Sequence, residues 1–103
     1  MDRIARIKEL LQAQPDDSFL HHALALEHIK SGDDDTARSL FEALLARDPG
    51  YVGSYYHLAK LLERQGDEAA AIAVYEQGMT TAKAAGDNHA FSELRSAHEE
   101  LTM

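Results

Sequence analysis

The chain has 103 residues and carries 18 acidic against 10 basic side chains, a net charge of −8. That is one domain's worth of chain, too little for a deep enclosed catalytic cleft. The charge excludes nucleic acid and anionic membrane as partners, because both need a basic face to displace counterions. There are no cysteines, so disulfides, thiolate metal sites and cysteine nucleophiles are excluded.

Along the chain, apolar residues recur at helical spacing and no strand pattern competes. Six helices are expected, near residues 2–13, 17–31, 34–47, 51–65, 68–85 and 88–102. The first carries Ile4, Ile7, Leu10 and Leu11. In the second, Leu20, Leu24 and Ala25 form a stripe with His21 and His28 beside it. Leu40, Phe41, Leu44 and Leu45 form the stripe of the third. The fourth offers Tyr55, Leu58, Ala59 and Leu62. The fifth brings Ala71, Ile72, Val74 and Tyr75, and the sixth Phe91, Leu94, Ala97 and Leu101.

The punctuation between helices is equally regular. Gly32 and Gly66 can take the left-handed conformation that stops a helix. Asp33 and Asp67 follow at once, suited to cap the next helix and to complement its dipole. Asp48-Pro49 closes the third helix, since a residue before proline is pushed out of helical geometry. No linker or low-complexity tract divides the chain, and no apolar run has the length of a membrane span or signal peptide, so the expected location is the cytoplasm.

These landmarks repeat. A shift of 34 residues lays Pro15 on Pro49, Leu24-Ala25 on Leu58-Ala59, Gly32-Asp33 on Gly66-Asp67, Ala37 on Ala71 and Phe41 on Tyr75. The phase reaches back to Ile7, Leu10 and Leu11, which lie 34 before Phe41, Leu44 and Leu45. A period of this length with small residues at fixed places resembles the tetratricopeptide repeat (TPR). The matching positions are His21, Leu24, Ala25, His28, Ala37, Phe41 and Pro49, then Tyr55, Leu58, Ala59, Leu62, Ala71 and Tyr75. His21, His28 and Leu62 stand where aromatics are usual, Leu44 and Gly78 where Ala is usual, and the second repeat lacks its closing proline.

The resemblance implies an all-α fold, a TPR-like right-handed superhelix of antiparallel helix pairs. It implies a single domain over 1–103: a capping half repeat (1–16), repeats at 18–51 and 52–86, and a capping helix (87–103). Terminal units of such a stack need polar-backed caps, since each repeat cannot bury its own face. It further implies a concave face lined by the first helix of each repeat, here Phe19, His22, Leu26, Ile29 and Lys30, then Tyr56, Lys60, Glu63 and Arg64. Leu26, Ile29 and Tyr56 lie off the core pattern, and apolar residues grouped on one face mark a binding surface. Lys30, Lys60 and Arg64 form a basic edge on an acidic chain, so an acidic or carboxylate-bearing peptide fits. The places where some TPR domains clamp a chaperone tail's carboxylate hold His22, Leu26 and His57, so no such clamp is expected.

Catalysis and metal binding are not expected. His21 and His28 are seven apart, and no two histidines stand three or four apart as helical metal ligands do. Asp33-Asp34-Asp35 lacks the alternation, central Gly and distal Glu of a calcium loop and reads as a capped first turn. No phosphate-cradling or nucleophile-elbow motif occurs, and no cofactor is implied. The expected function is a non-catalytic module that binds a peptide or helix of another protein. The alternative is self-association into a homodimer through the end helices.

Overall fold

The computed structural model describes residues 2–103. The six expected helices are all present, with ends within two residues of the sequence reading: α1 (Arg3–Ala13), α2 (Ser18–Lys30), α3 (Asp34–Arg47), α4 (Gly53–Arg64), α5 (Glu68–Ala84) and α6 (Asn88–Thr102). No strand forms among the described residues. The helices group into two compact units, residues 1–48 and 49–103.

The turns explain why the helices stop and restart so sharply. Gly32, Gly66 and Gly86 have φ of 82°, 80° and 71°, a region that costs a side-chain-bearing residue about 1 kcal/mol or more. At each, the glycine N–H bonds back to the carbonyl three residues earlier, and the following Asp N–H to the one five earlier. This pair of bonds satisfies carbonyls orphaned at the helix end. The same Asp then turns its side chain onto the next helix. Asp33, Asp67 and Asp87 accept from the N–H three residues on at 3.0–3.2 Å, as do Asp2 and Asp17 at the starts of α1 and α2. Two residues thus end one helix and cap another. The hydrogen bonds from Thr36 hold the Asp33 carboxyl below the usual carboxylate range, helped by nearby His28. α4 is different: Val52 offers no side-chain cap, and the N–H groups of Ser54 and Tyr55 bond to the carbonyls of Tyr51 and Val52 instead.

In the first unit α2 packs on both α1 and α3. Ile7, Leu20 and Leu24 form a buried cluster, with Ile4, Leu11, Ala23 and Leu40 packed against it. Ala25, Ala37 and Phe41 are fully buried. The Ser18 hydroxyl donates to Asp48 at 2.6 Å, tying the start of α2 to the end of α3.

In the second unit α5 packs on both α4 and α6, and α4 also touches α6. Tyr55, Leu58, Ala59, Leu61, Leu62, Ala71, Tyr75, Ala82, Leu94 and Ala97 are buried. Gly78 has a specific cause. A Cβ there would stand 2.7 Å from Cβ of Tyr55 and 3.0 Å from Cδ1 of Leu94, so α4, α5 and α6 close on this one point. α5 runs on to Ala84, as the missing proline implied.

One departure from the repeat pattern, His21, is explained by a hydrogen bond of the same kind as its counterpart Tyr55 makes. Tyr55 donates its hydroxyl to the carbonyl of Pro49 at 2.6 Å. His21, 34 residues earlier, places Nε2 2.7 Å from the carbonyl of Pro15, itself 34 before Pro49. A carbonyl can only accept, so the imidazole carries its proton on Nε2. Histidine stands in for tyrosine because both present a flat ring with a donor at its far edge.

Candidate functional site

The residues expected to line a binding face lie on α2 and α4. On α2, the His22 ring meets Phe41 edge-on, with centroids 5.6 Å apart. Leu26 and Ile29 are half-buried, and Lys30 is exposed. Phe19 stands apart from them. Its side chain is 65% exposed and lines a cleft of about 280 Å³ together with Leu20, Ala23 and four residues of α1, among them Arg6 and Leu10. Leu10, expected in the apolar stripe of α1, is 38% exposed in this cleft.

Charge on α2 is organised around one carboxylate. Glu27 is largely buried and receives Lys30 Nζ and Arg3 Nε, both at 3.3 Å, from strongly exposed side chains. Two cations share one anion, which leaves this patch one positive charge in excess on a chain of net charge −8. Both cations stay exposed to solvent and keep donors for an arriving carboxylate.

On α4, Tyr56 lies half-exposed with its ring edge-on to His57 at 5.8 Å. Lys60 Nζ sits 5.8 Å from the Tyr56 ring centroid and 3.7 Å from Glu63. Arg64 is exposed at the C-terminal end of α4, where a cation complements the helix dipole. Burial holds the His57 imidazole below its ordinary value; Glu93 of α6 partly offsets this and Arg64 adds to it. Above its unfolded value His57 is neutral in both states and the burial costs folding nothing; as pH falls the unfolded chain takes the proton more readily, so native stability drops.

Glu63 has a second role that the sequence reading missed. Its carboxylate accepts the hydroxyl of fully buried Tyr75. In the 34-residue register the equivalent pair in the first repeat is Ile29 and Phe41. The hydroxyl and the carboxylate thus appear together in one repeat and are absent together from the other, as a buried hydroxyl requires. Glu63→Ile alone should cost about 1–3 kcal/mol by orphaning that hydroxyl, while Glu63→Ile with Tyr75→Phe should be neutral within about 1 kcal/mol. Urea midpoints of the four proteins check this; equal losses in the single and double variants would mean the bond carries no weight.

The same pair sets a pH dependence. Burial, then the Glu63 bond, pushes the Tyr75 hydroxyl well above its ordinary 10.0. A raised folded-state value stabilises below the unfolded one and is lost as pH rises past it. Stability should therefore decline above about pH 10, and less steeply in Tyr75→Phe.

Two shallow clefts lie elsewhere in the second unit. A polar one of about 580 Å³ is bounded by Pro49, Tyr55, Glu76, Gln77 and Thr80. The other, about 290 Å³, holds Met79, Lys83, Phe91 and His98, with His98 Nε2 3.1 Å from Glu76. Among the described residues no group of three or more His, Asp or Glu side chains is placed to hold a metal ion, and no helix is long and apolar enough to cross a membrane.

Helices packed through short Gly-Asp turns, with a core that recurs every 34 residues, define a helical-repeat interaction protein. The tetratricopeptide-repeat family model matches residues 22–88, and the chain belongs to that family. A curated TPR repeat-containing protein of Pseudomonas aeruginosa is 29% identical over 91 residues, 88% of this chain and 87% of the relative. The crystal structure of a TPR domain protein from Salinibacter ruber superposes with a TM-score of 0.81 at 43% identity, over 84% of this chain and 96% of that one. The solution structure of a Bordetella parapertussis protein superposes at 0.85 with 27% identity, over 99% of this chain and 89% of that one. TPR repeats in general are non-catalytic modules that mediate protein–protein interaction.

Proposed function

We propose that this chain holds a peptide or helix of another protein against the faces of α2 and α4 that carry His22, Leu26, Ile29 and Lys30, then Tyr56, Lys60, Glu63 and Arg64, with Phe19 at the edge of the α2 set. The observation that carries the reading is the half-exposed apolar area of Leu26, Ile29 and Tyr56, which the repeat core does not absorb. The charge pattern supports an acidic or carboxylate-bearing ligand best on α2, where Lys30 and Arg3 outnumber Glu27. α4 is more balanced, because Glu63 sits beside Lys60 and Glu93 of α6 acts on His57.

Leu26→Ala with Tyr56→Ala tests the reading. Affinity for a partner identified by capture from cell extract should fall at least about tenfold, since each lost anchor costs over about 1 kcal/mol. The helical signal and melting midpoint should stay nearly unchanged. Normal binding by the double variant would remove α2 and α4 from consideration, and a large loss of stability would make both side chains core. Self-assembly through the end helices is the competing reading. A concentration-independent monomer by light scattering is expected, and a tight dimer would favour self-assembly.

A further inference from the structure

Residue for residue, α1 occupies the register of α3: Arg3, Ile7 and Leu10 lie 34 before Ala37, Phe41 and Leu44. On α3 this face is covered, with Ala37 and Phe41 at 0% and Leu44 at 1% exposure. Its cover is a helix, α2, whose His22 ring rests on Phe41. On α1 the same face is only partly covered: Ile7 is buried at 6% exposure against α2, but Arg3 is exposed and Leu10 is 38% exposed. Beside Leu10 lies the cleft of about 280 Å³, and its far wall is Phe19 and Ala23 of α2.

Two features of the cleft select its occupant. Phe19 and Leu10 are two of the three large exposed hydrophobics among the described residues, the third being Met103 at the far end of the sequence. An apolar stripe would cover them at about 25 cal/mol per Å² buried. The rim carries Arg3 and Arg6, and no carboxylate lines the cleft. Arg3 shares Glu27 with Lys30, and Arg6 meets Glu9 at 3.3 Å as an exposed pair, so both guanidinia keep donors for a further carboxylate.

We propose that the cleft between α1 and the start of α2 is a second docking seat, sharing only Phe19 and Arg3 with the surface above and lying apart from its Leu26 and Tyr56 anchors, and that it takes an amphipathic helix of a partner protein with an apolar stripe flanked by Glu or Asp. Its stripe covers Leu10 and Phe19, and its acids reach Arg3 and Arg6.

The probe is a synthetic acidic peptide of about 20 residues, long enough for five to six helical turns, with Leu and Phe at helical i, i+3, i+4 spacing and Glu at the flanks. Two controls replace each Glu by Lys or scramble the apolar spacing. Titration into ¹⁵N-labelled protein should shift the amides around Arg6, Leu10, Phe19 and Ala23, and both controls should bind at least about tenfold more weakly. Phe19→Ala, an exposed change that leaves the fold intact, should weaken binding about tenfold, and so should Arg6→Glu. Affinity should also fall as salt rises. Equal binding of the Lys peptide, shifts centred on Leu26 and Tyr56, or no binding at millimolar peptide would each overturn the proposal. Self-association abolished by Phe19→Ala would overturn it too, giving the seat to a second copy. Leu26→Ala with Tyr56→Ala should leave peptide binding unchanged, which separates failure here from failure of the α2 and α4 reading.

Discussion

Gly78→Leu is expected to lower the melting midpoint by about 12–24 °C, the equivalent of about 3 kcal/mol at roughly 4–8 °C each in a domain of this size. The first carbon of any side chain at this place meets Cβ of Tyr55 at 2.7 Å. That atom is fixed to the α4 backbone and cannot swing aside. Leu94 at 3.0 Å presents the end of a flexible side chain, but it is buried at 1% exposure and has little room to yield. Accommodation therefore means moving α4 or α6 off α5, and overpacking of that kind costs typically 1–3 kcal/mol, more for several added carbons. Gly78→Ala should fall in between, because the clash is offset by the roughly 1 kcal/mol that Ala gains over Gly in a helix. Gly53→Ala is the control: nothing lies within 4 Å of a Cβ there, so stability should hold or rise slightly. Thermal melts of the three variants check this. A neutral Gly78→Leu would mean the three helices do not close on this point.

Phe41→Ala should remove about 3–5 kcal/mol, a large part of the 5–15 kcal/mol that typically holds a domain folded. Phe41 is fully buried in the first unit and is the ring on which His22 rests edge-on. Truncation removes its transfer free energy, leaves a cavity, and strips His22 of its aromatic neighbour. Phe41→Tyr tests the polar side of the same position. The second repeat places Tyr75 in that register and supplies Glu63 for its hydroxyl, whereas the first repeat has Ile29. Phe41→Tyr should cost about 1–3 kcal/mol for an unsatisfied buried hydroxyl, and Ile29→Glu beside it should recover most of that loss. Chemical denaturation of the single and double variants measures both. A loss below about 1 kcal/mol for Phe41→Ala would place the ring outside the working core.

The sequence by itself determined the six helices, their punctuation and the family. Each is a matter of local chemistry repeated at a fixed interval. Leu20, Leu24 and Ala25 mark a helical face because side chains three and four apart share one side. Gly32-Asp33 stops one helix and caps the next through bonds that reach no more than five residues. The 34-residue shift then multiplies a weak local signal into a strong one, but it does not reach Gly86-Asp87, a third copy of the same turn that falls out of that register. Tertiary structure decided which exposed side chains keep company. Phe19 has the helical spacing to join His22 and Leu26, yet its ring lines the cleft with Leu10 while His22 turns to Phe41. Lys30 and Lys60 read as a free basic edge until Glu27 and Glu63 are seen beside them. Gly78 read as a loosened match until Tyr55 and Leu94 closed over it. The physical reason is range: helix formation, capping and periodicity act within one or two turns of chain, whereas burial, ion pairing and close approach depend on which helix arrives next door, and no local spacing encodes that.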